Sequence, residues 1–584
     1  MAETDSRQTE KKPMNGKRQA SSEKIRIEGD RKTAIETGRN RLIVAGALFT
    51  AAFSVIGIRV VDVSVFSDNS EPRYTRSIAP GEKYTGRADI VDRNGILMAT
   101  SLNTASLFAN PRLVLDPEQA AIRLATALPG INVKIIEKKL RSNRGFVWLK
   151  RHLTPRQQYG VNRLGIPALN FQREARRMYP LGSLASHALG FTDVDNKGLS
   201  GIERYFDKEL RTQQDNMALS IDVRVQHVLE HELGLAMKKF SAIGAAGLVM
   251  DVNTGEVVAM SSLPSFDPNE PGAIDQDVRF NRTTLGVYEM GSTFKIFTTA
   301  MALDAGTVSL RGGYDATNPI RIARFTIRDF HAKKRWLSVP EIFMYSSNIG
   351  TVKMALDVGI SGHRNFLTSI GMMKPVGIEL WETGSPLSPN RWREINSMTI
   401  SFGHGLAVSP LHLVAGVSAI VNGGMYRAPT LVRRSPADVP VGKRVVTAET
   451  SNKMRRLMRL AVENGTGQKA SAPGYVVGGK TGTAEKVSGQ SYKKKALISS
   501  FVAAFPMHKP RYVVLAMLDE AKGTKETFGS ATGGWVAAPV VGAVVRRIAP
   551  VLGLRPIKDT DAVRDFLSID ISSKTAREPR VASH

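Results

Sequence analysis

The chain has 584 residues, 42% of them hydrophobic and 23% charged, so two or three folded domains are expected and global disorder is excluded. The net charge of +27 favours polyanionic partners, but no zinc-finger spacing, helix-turn-helix signal or basic–aromatic strand pair indicates nucleic acid. Lipid headgroups, anionic polymers outside the cytoplasm and a dispersed solvated surface remain as interpretations of this charge. The chain has no cysteine, which excludes disulfides, thiolate nucleophiles and cysteine–zinc sites.

The amino-terminal region predicts a tail followed by a membrane anchor. Residues 1–41 carry eleven basic and seven acidic side chains with little apolar periodicity, a pattern typical of a disordered tail. Residues 42–61 follow, and the run is free of charge as far as Ile58. The uncharged stretch, residues 42–58, is near the lower limit of the roughly 17–25 residues that cross a bilayer. A buried core helix would show a polar stripe, and a cleaved signal peptide would need a small-x-small site, which is absent.

The basic residues beside the predicted span indicate its orientation. Arg39 and Arg41 precede the run directly, so the tail is expected in the cytoplasm and everything after Val61 is expected to be exported. This predicts a single-pass signal anchor. The exported part is divided by composition into a stalk and pedestal domain, residues 62–225, a larger domain, residues 226–552, and a polar carboxy-terminal tail, residues 553–584.

The exported part predicts mixed α and β structure. The Asn94-Gly95 pair indicates a hairpin, and apolar periodicity predicts a helix from Val223 to about Phe240. Strands at both ends of the larger domain, with helices between them, predict an α+β fold whose sheet joins distant parts of the chain. Its expected strands are 245–251, 256–260, 478–486, 499–505 and 511–518, and its closing helix is 536–548.

A serine and a lysine open an apolar-periodic helix as Ser292-Thr-Phe-Lys295. The spacing of three residues places both side chains on one helix face, and the serine lies at the positive end of the helix dipole. A neutral lysine amine there can remove the proton of the serine hydroxyl. Neutrality near pH 7 requires burial of the amine or a neighbouring cation. Ser292 is therefore the predicted nucleophile and Lys295 its base.

Two further motifs supply complementary groups later in the chain. In Ser346-Ser-Asn348 the first hydroxyl can pass a proton to a leaving amine, and the asparagine amide can hold a substrate carbonyl. In Lys480-Thr-Gly-Thr483, on a glycine-bounded strand, Lys480 is the expected second cation. The predicted catalytic residues are Ser292, Lys295, Ser346, Asn348 and Lys480, and the predicted substrate-binding residues are Thr481, Gly482 and Thr483.

The order of the three motifs is more specific than any one of them. Ser-x-x-Lys also occurs at Ser21/Lys24 and Ser491/Lys494, whereas Lys-Thr-Gly occurs once. The ordered set is the one known for serine acyl enzymes that react with penicillin.

Over nearly its whole length the sequence resembles the class B penicillin-binding proteins, and most closely their division-specific branch, the FtsI type. Met290 departs from the family pattern, which often has proline there. The pedestal and downstream segments that carry the resemblance are Asp92–Gly95, Arg177–Gly182, Gly198–Glu203, Asp251–Gly255, Ser265–Asn269, Phe402–Pro410 and Gly533–Pro539.

The resemblance implies an α+β penicillin-binding transpeptidase domain, like the serine β-lactamases, above an elongated pedestal and one membrane helix. It implies a D,D-transpeptidase of the D-Ala-D-Ala carboxypeptidase class that cross-links peptidoglycan stem peptides, with β-lactams as covalent inhibitors. The backbone N–H groups of Ser292 and Thr483 would form the oxyanion hole. Membrane proteins of the division complex are implied as partners of the span and pedestal.

No metal site or cofactor is indicated, because the ten histidines are dispersed and no phosphate-binding loop precedes a helix. His404, Glu289 and Asp251 are interpreted as structural. A β-lactam sensor would need a cytoplasmic effector, which 41 residues cannot provide. A division scaffold with vestigial motifs is disfavoured by the intact motif residues, and a bifunctional glycosyltransferase is disfavoured by the lack of a second catalytic-sized domain.

Overall fold

A computed structural model describes residues 30–61, 86–213, 215–273, 275–322, 325–488, 491–557 and 561–569 of the chain. The predicted stalk before residue 86 and the first 29 residues of the predicted tail lie outside these ranges. The chain divides into two units, residues 1–83 and residues 84–584.

The first unit contains one long helix, α1 (Asp30–Val61), whose side chains from Ile43 to Ile58 are exposed. The helix begins twelve residues before the predicted span, so residues 30–41 of the predicted tail continue the helix of the span. The reason is that an established helix extends at the gain of one hydrogen bond per residue, without a new nucleation cost.

Length and apolarity alone do not identify the membrane anchor. Within the described ranges, one helical segment, Gly533–Val551, is both long and apolar enough to span a bilayer, and more than half of it is buried in the folded domain. The predicted anchor contains the apolar stretch Ile43–Ile58, which is shorter.

The pedestal is built around β2, a strand of thirteen residues that pairs with β1, β3 and β4. Helices α2 to α4 cover its distal half, where Leu107, Leu124 and Val147 belong to a separate hydrophobic core. The pedestal strands are β1 (Ile90–Val91), β2 (Leu97–Ala109), β3 (Val147–Leu153), β4 (Leu169–Met178) and β5 (Met217–Ala218), and its helices are α2 (Pro117–Ala127), α3 (Val133–Leu140), α4 (Pro155–Asn162), α5 (Ser186–Leu189), α6 (Gly201–Tyr205) and α7 (Asp207–Thr212).

The pedestal segments singled out in the sequence form the joint with the larger domain. The fully buried Glu203 carboxylate accepts hydrogen bonds from Arg87 Nε at 2.8 Å and Arg177 Nε at 2.6 Å. The Asp92 carboxylate closes its own turn by accepting from Asn94 N, and it also accepts from Val223 N across the joint. These residues are therefore structural, and they connect the pedestal base to the helix that opens the larger domain.

The larger domain begins with α8 (Val223–Lys239) and contains a five-stranded antiparallel sheet. The strands of the larger domain are β6 (Gly244–Asp251), β7 (Val257–Leu263), β8 (Tyr288–Glu289), β9 (Gly313–Asp315), β10 (Ile320–Ile322), β11 (Phe325–Ile327), β12 (Trp336–Ser338), β13 (Ala407–Val408), β14 (Met425–Tyr426), β15 (Lys443–Arg444), β16 (Gly478–Ser488), β17 (Ser491–Phe505) and β18 (Tyr512–Asp519). Its further helices are α9 (Gln276–Arg279), α10 (Lys295–Asp304), α11 (Val339–Tyr345), α12 (Asn348–Ser369), α13 (Glu394–Ser401), α14 (Pro410–Val421), α15 (Ala448–Glu463), α16 (Gly533–Val536), α17 (Ala538–Val551) and α18 (Asp561–Leu567).

The sheet has the order β16-β17-β18-β6-β7, so strands from both ends of the domain lie side by side. This confirms the α+β fold expected from the sequence. Strands β6 and β18 are buried on both faces, which is why they are continuous apolar runs without alternation. Helices α8 and α17 cover one face, and α10, α14 and α15 pack on the other. Strand β16 forms the edge beside α10.

Candidate active site

Ser292 lies in a 3-10 turn, Gly291–Phe294, that leads directly into α10. Its side chain is half-buried, and its hydroxyl forms no hydrogen bond within the described part of the chain. The backbone N–H groups at such a helix start precede the first intrahelical bonds and are free to face an anion. The serine is thus half-buried, one turn before Lys295. We call the junction of this turn with β16 and residues 346–348 the serine cleft.

Glycines bring three backbone segments together around this turn. Gly291 has φ +53°, and a Cβ there would lie 2.5 Å from the carbonyl oxygen of Thr483. Its N–H donates to the carbonyl of Gly403 at 3.2 Å. A Cβ on Gly482 would lie 2.7 Å from the carbonyl oxygen of Met290. The turn, the edge strand β16 and the loop after α13 can pack this closely only because no side chains separate them.

Lys295 extends from the first turn of α10 into a fully buried position. Its Nζ donates to the carbonyl oxygen of Ser346 at 2.5 Å, to Ser346 Oγ at 3.1 Å and to Asn348 Oδ1 at 2.7 Å. Burial and the nearby Lys480 hold the pKa of this amine well below its usual 10.5. The amine was expected to contact the Ser292 hydroxyl; it instead bonds to three oxygens on the far side of the cleft.

Lys480 approaches the Ser346 hydroxyl from β16. Its Nζ donates to Ser346 Oγ at 2.9 Å, and its side chain is 1% exposed. Burial lowers the pKa of Lys480 from 10.5 to about 7. Ser346 lies at the end of α11 with φ +58°, a strained conformation for a residue with a side chain, and this directs its Oγ between the two amines.

Asp329 is a member of this site that the sequence analysis missed. Its carboxylate accepts from Ser347 Oγ at 2.7 Å, from Asn348 N at 2.5 Å and from Ile349 N at 3.0 Å. It therefore caps the amino terminus of α12 and is the acidic group whose charge favours the protonated form of Lys295. A lone aspartate in a polar loop nineteen residues before Asn348 carries no pattern by which sequence could identify it.

Asn348 is the first residue of α12, and its side-chain amide forms two hydrogen bonds. Its Oδ1 accepts from Lys295, and its Nδ2 donates to the carbonyl oxygen of Arg328 at 2.9 Å. The second N–H of the amide has no partner in the ranges the structure describes. This is the group that remains for the substrate carbonyl expected from the sequence.

The hydroxyls of Thr481 and Thr483 form hydrogen bonds with residues that are not among the predicted site residues. The hydroxyls of Thr481 and Thr466 lie 2.8 Å apart, and Thr483 Oγ1 accepts from Gly533 N at 3.0 Å. Gly533 belongs to a segment that the resemblance had singled out, whereas Thr466 follows α15 and has no sequence signal. Both threonines of β16 are thereby oriented along the edge of the cleft.

The three residues interpreted as structural have structural contacts. His404 Nδ1 lies 3.1 Å from Glu289 Oε2, and Gly405 N donates to Glu289 Oε1 at 2.7 Å. This links the loop after α13 to β8, directly before the serine turn. Asp251 accepts from Asn253 N and closes the β6–β7 turn. No group of three His, Asp or Glu side chains in the described ranges is placed to hold a metal ion.

Comparison with known proteins assigns both parts of unit 2 to described families. A model of the penicillin-binding protein transpeptidase domain matches residues 245–546, and a model of the penicillin-binding protein dimerisation domain matches residues 82–232. The "Probable peptidoglycan D,D-transpeptidase FtsI" of Caulobacter vibrioides is 43% identical over 80% of this chain and 82% of its own length. The "Peptidoglycan D,D-transpeptidase FtsI" of Escherichia coli is 30% identical over 82% of this chain and 86% of its own length.

A solved structure agrees in fold with both domains. The peptidoglycan synthetase from Bifidobacterium adolescentis superposes with a TM-score of 0.64 over 82% of this chain and 97% of its own. Its sequence identity of 22% supports the fold alone.

Proposed function

The chain belongs to the class B penicillin-binding proteins of the FtsI type, and from this premise we propose that it is a peptidoglycan D,D-transpeptidase of cell division with Ser292 as its acylated nucleophile. The proposal rests chiefly on one observation. Two buried lysine amines donate to the hydroxyl of Ser346, that of Lys295 at 3.1 Å and that of Lys480 at 2.9 Å. Lys295 lies on α10, one helical turn after Ser292.

Acylation uses these groups in sequence. Lys295 in its neutral form has only two N–H groups to donate, so its lone pair is free to turn toward Ser292 and take the proton of Ser292 Oγ. Ser292 Oγ then forms a bond to the carbonyl carbon between the two terminal D-alanines of a stem peptide. The N–H groups of Ser292 and Thr483 hold the oxyanion, an interaction worth roughly 3–4 kcal/mol per donor in comparable sites. Ser346 gives its proton to the leaving nitrogen and takes from Lys295 the proton that came from Ser292, the C–N bond breaks, and D-alanine departs. Lys480, with Thr481, Gly482 and Thr483, binds the terminal carboxylate.

Deacylation determines which product is formed. An amine from a neighbouring stem peptide attacks the ester, releases Ser292 and creates the cross-link. Water in place of the amine would give the D-Ala-D-Ala carboxypeptidase reaction, which we propose as a minor activity of the same site. Since β-lactams resemble the donor and keep their leaving group tethered after ring opening, they remain as stable acyl-enzymes.

Labelling with a fluorescent penicillin tests the nucleophile. The wild type should acquire one covalent label, whereas Ser292→Ala should acquire none. The exposed Ser361→Ala, in α12, is the matched control and should label as the wild type does. Undiminished labelling of Ser292→Ala would remove the assignment.

We further propose that α1 anchors the enzyme in the inner membrane, with its amino terminus cytoplasmic and unit 2 periplasmic. The apolar stretch Ile43–Ile58 and the exposed Arg39 and Arg41 before it support this topology. A reporter active only in the periplasm should give signal when fused after Val61; silence from a stably expressed fusion would reverse the topology.

Partners in the division complex would contact the span and pedestal. Because the proposed role is in cell division, depletion of the protein should give filamentous cells, not round cells.

A further inference from the structure

A cavity of about 250 Å³ lies at the joint between the pedestal and the transpeptidase domain, away from the serine cleft. The pedestal contributes His187, Phe191, Leu199 and Ser200, the last two from the Gly198–Glu203 segment. The transpeptidase domain contributes Phe266, Arg279, Asn281 and Glu382. None of the catalytic groups described above lines this space.

One wall of the cavity is aromatic. The Phe266 ring packs edge-on against His187 at 5.0 Å and against Phe191 at 5.8 Å between centroids. His187 Nε2 lies 2.8 Å from the carbonyl oxygen of Val278, and burial lowers the pKa of this histidine to about 4. The ring is therefore neutral at physiological pH, and this wall offers flat apolar surface.

The remaining lining carries polar atoms that the described residues leave unpaired. Asn281 is 2% exposed and its Oδ1 accepts from Thr283, but its Nδ2 has no partner among them. The same is true of Ser200 Oγ and Glu382 Oε2, both buried atoms. Such unpaired polar atoms are destabilising, and all three belong to residues that line the cavity, although each atom is itself closed to solvent.

The charges of the lining specify the ligand. Glu382 supplies a negative charge suited to an ammonium, and the Arg279 guanidinium, 5.5 Å from the Phe191 centroid, is a cation suited to a carboxylate. The volume lies below the roughly 300–1,000 Å³ typical of sites for drug-sized ligands. We propose that this cavity binds a small zwitterion, an amino acid with an aromatic or large apolar side chain.

The site is connected by short paths to both domains. Glu382 Oε1 accepts from Gly201 N of the pedestal at 3.4 Å, and the backbone carbonyl of Glu382 accepts from Thr284 Oγ1 at 2.6 Å. Thr284 lies eight residues before Ser292, on the segment that runs through β8 to the serine turn. A bound ligand would thus contact both the pedestal and the segment that leads to the serine turn. Binding of the ligand does not require acylation of Ser292.

Calorimetric titration of the full chain in detergent tests the proposal, with D- and L-phenylalanine as probes. At least one enantiomer should bind saturably, and N-acetylphenylalanine and phenethylamine, which lack the ammonium and the carboxylate respectively, should bind at least tenfold more weakly. Absence of saturable binding, or binding of either analogue as tight as that of phenylalanine, would overturn the proposal.

Variants locate the binding. Glu382→Gln and Arg279→Gln should each weaken it at least tenfold, whereas the exposed Glu118→Gln should not change it. Arg279 is exposed, so its variant remains informative if Glu382→Gln fails to fold. Prior acylation of Ser292 by penicillin should leave binding intact; loss on acylation would place the ligand in the catalytic cleft and refute the joint site. Failure of Ser292 to acylate would instead concern the proposed function.

Discussion

At the scale of single residues, the site depends on two lysine amines whose protonated forms are both disfavoured. Lys295 and Lys480 are each 1% exposed and share Ser346 Oγ as an acceptor. Burial disfavours both charged forms, and the charge on Lys480 adds to the effect at Lys295. The arrangement agrees with the roles proposed above, in which Lys295 is the base and Lys480 holds the positive charge that an anionic donor needs.

Acylation by an anionic donor should therefore decline as pH rises through about 7. Lys480, with its pKa near 7 in the free enzyme, carries its charge below that pH and loses it above. Second-order acylation rates report the free enzyme, so a fluorescent penicillin assayed from pH 5.5 to 9.5 should show this decline. Lys480→Arg, which stays charged, should lose the alkaline decline even if its maximum rate is lower. An unchanged alkaline limb in that variant would contradict the assignment.

The same lowered pKa makes a prediction for stability. Between pH 7 and about 10 the unfolded chain binds a proton at residue 480 that the folded chain does not, so the free energy of unfolding should rise with pH by about 1.4 kcal/mol per unit from this group. Lys480→Met removes this contribution, and denaturant unfolding at pH 7 and 9 should show a smaller rise than in the wild type. Equal slopes would indicate that the amine is not desolvated.

Asp329 should act as a positioning residue. Asp329→Asn removes the charge while keeping the shape, weakening three hydrogen bonds at the start of α12 and the attraction on Lys295. We expect at least tenfold slower acylation and a loss of about 1–2 kcal/mol in stability. The pH at which Lys295 becomes neutral should move downward, which a merely structural cap would not cause. Asp277→Asn, an exposed carboxylate, is the control, and an unshifted acid limb would contradict this role.

At the scale of elements, the serine turn is positioned by close backbone packing. The 3-10 turn before α10, the edge strand β16 and the loop at Gly403 meet without intervening side chains. Sequence periodicity predicted the helix and the strand, since each is encoded by neighbouring residues. It did not predict that the helix starts with a 3-10 turn, because that geometry is set by contacts with β16.

Gly291→Ala should abolish acylation, because its Cβ would lie 2.5 Å from the Thr483 carbonyl oxygen and force the turn away from β16. Gly306→Ala is a matched control after the other end of α10, where φ is also positive, at +70°, but no atom lies within 4 Å of the added Cβ. That variant should lose about 1 kcal/mol of stability and acylate normally. Penicillin labelling and thermal unfolding of both proteins make the comparison; equal effects would show that backbone strain alone matters.

At the scale of the whole molecule, the cores do not coincide with the domains that composition predicts. One hydrophobic core includes Ile90 and Ile202 of the pedestal together with Leu248 and Leu515 of the sheet. The distal pedestal, around Leu124, has a core of its own. The pedestal base should therefore unfold with the transpeptidase domain, whereas the distal lobe should open independently.

Two buried truncations test this division, each expected to cost about 2–5 kcal/mol locally. Leu124→Ala should increase hydrogen exchange in the distal lobe and leave penicillin acylation unchanged. Ile202→Ala should increase exchange in both the pedestal base and the transpeptidase domain and lower the temperature at which acylation is lost. Parallel loss of acylation in the two variants would mean that the pedestal is one cooperative unit.

The sequence alone determined the order of the catalytic motifs, the α+β class, the helix at Val223 and the central strands. Each follows from the spacing or periodicity of residues close together in the chain. Only the tertiary structure decided that Lys480 donates to Ser346, 134 residues away, that Asp329 caps α12, and that a cavity opens where Ser200 meets Glu382. These contacts join segments that the sheet and the shared core bring together, and no local pattern records which distant side chain will occupy a given hydrogen bond.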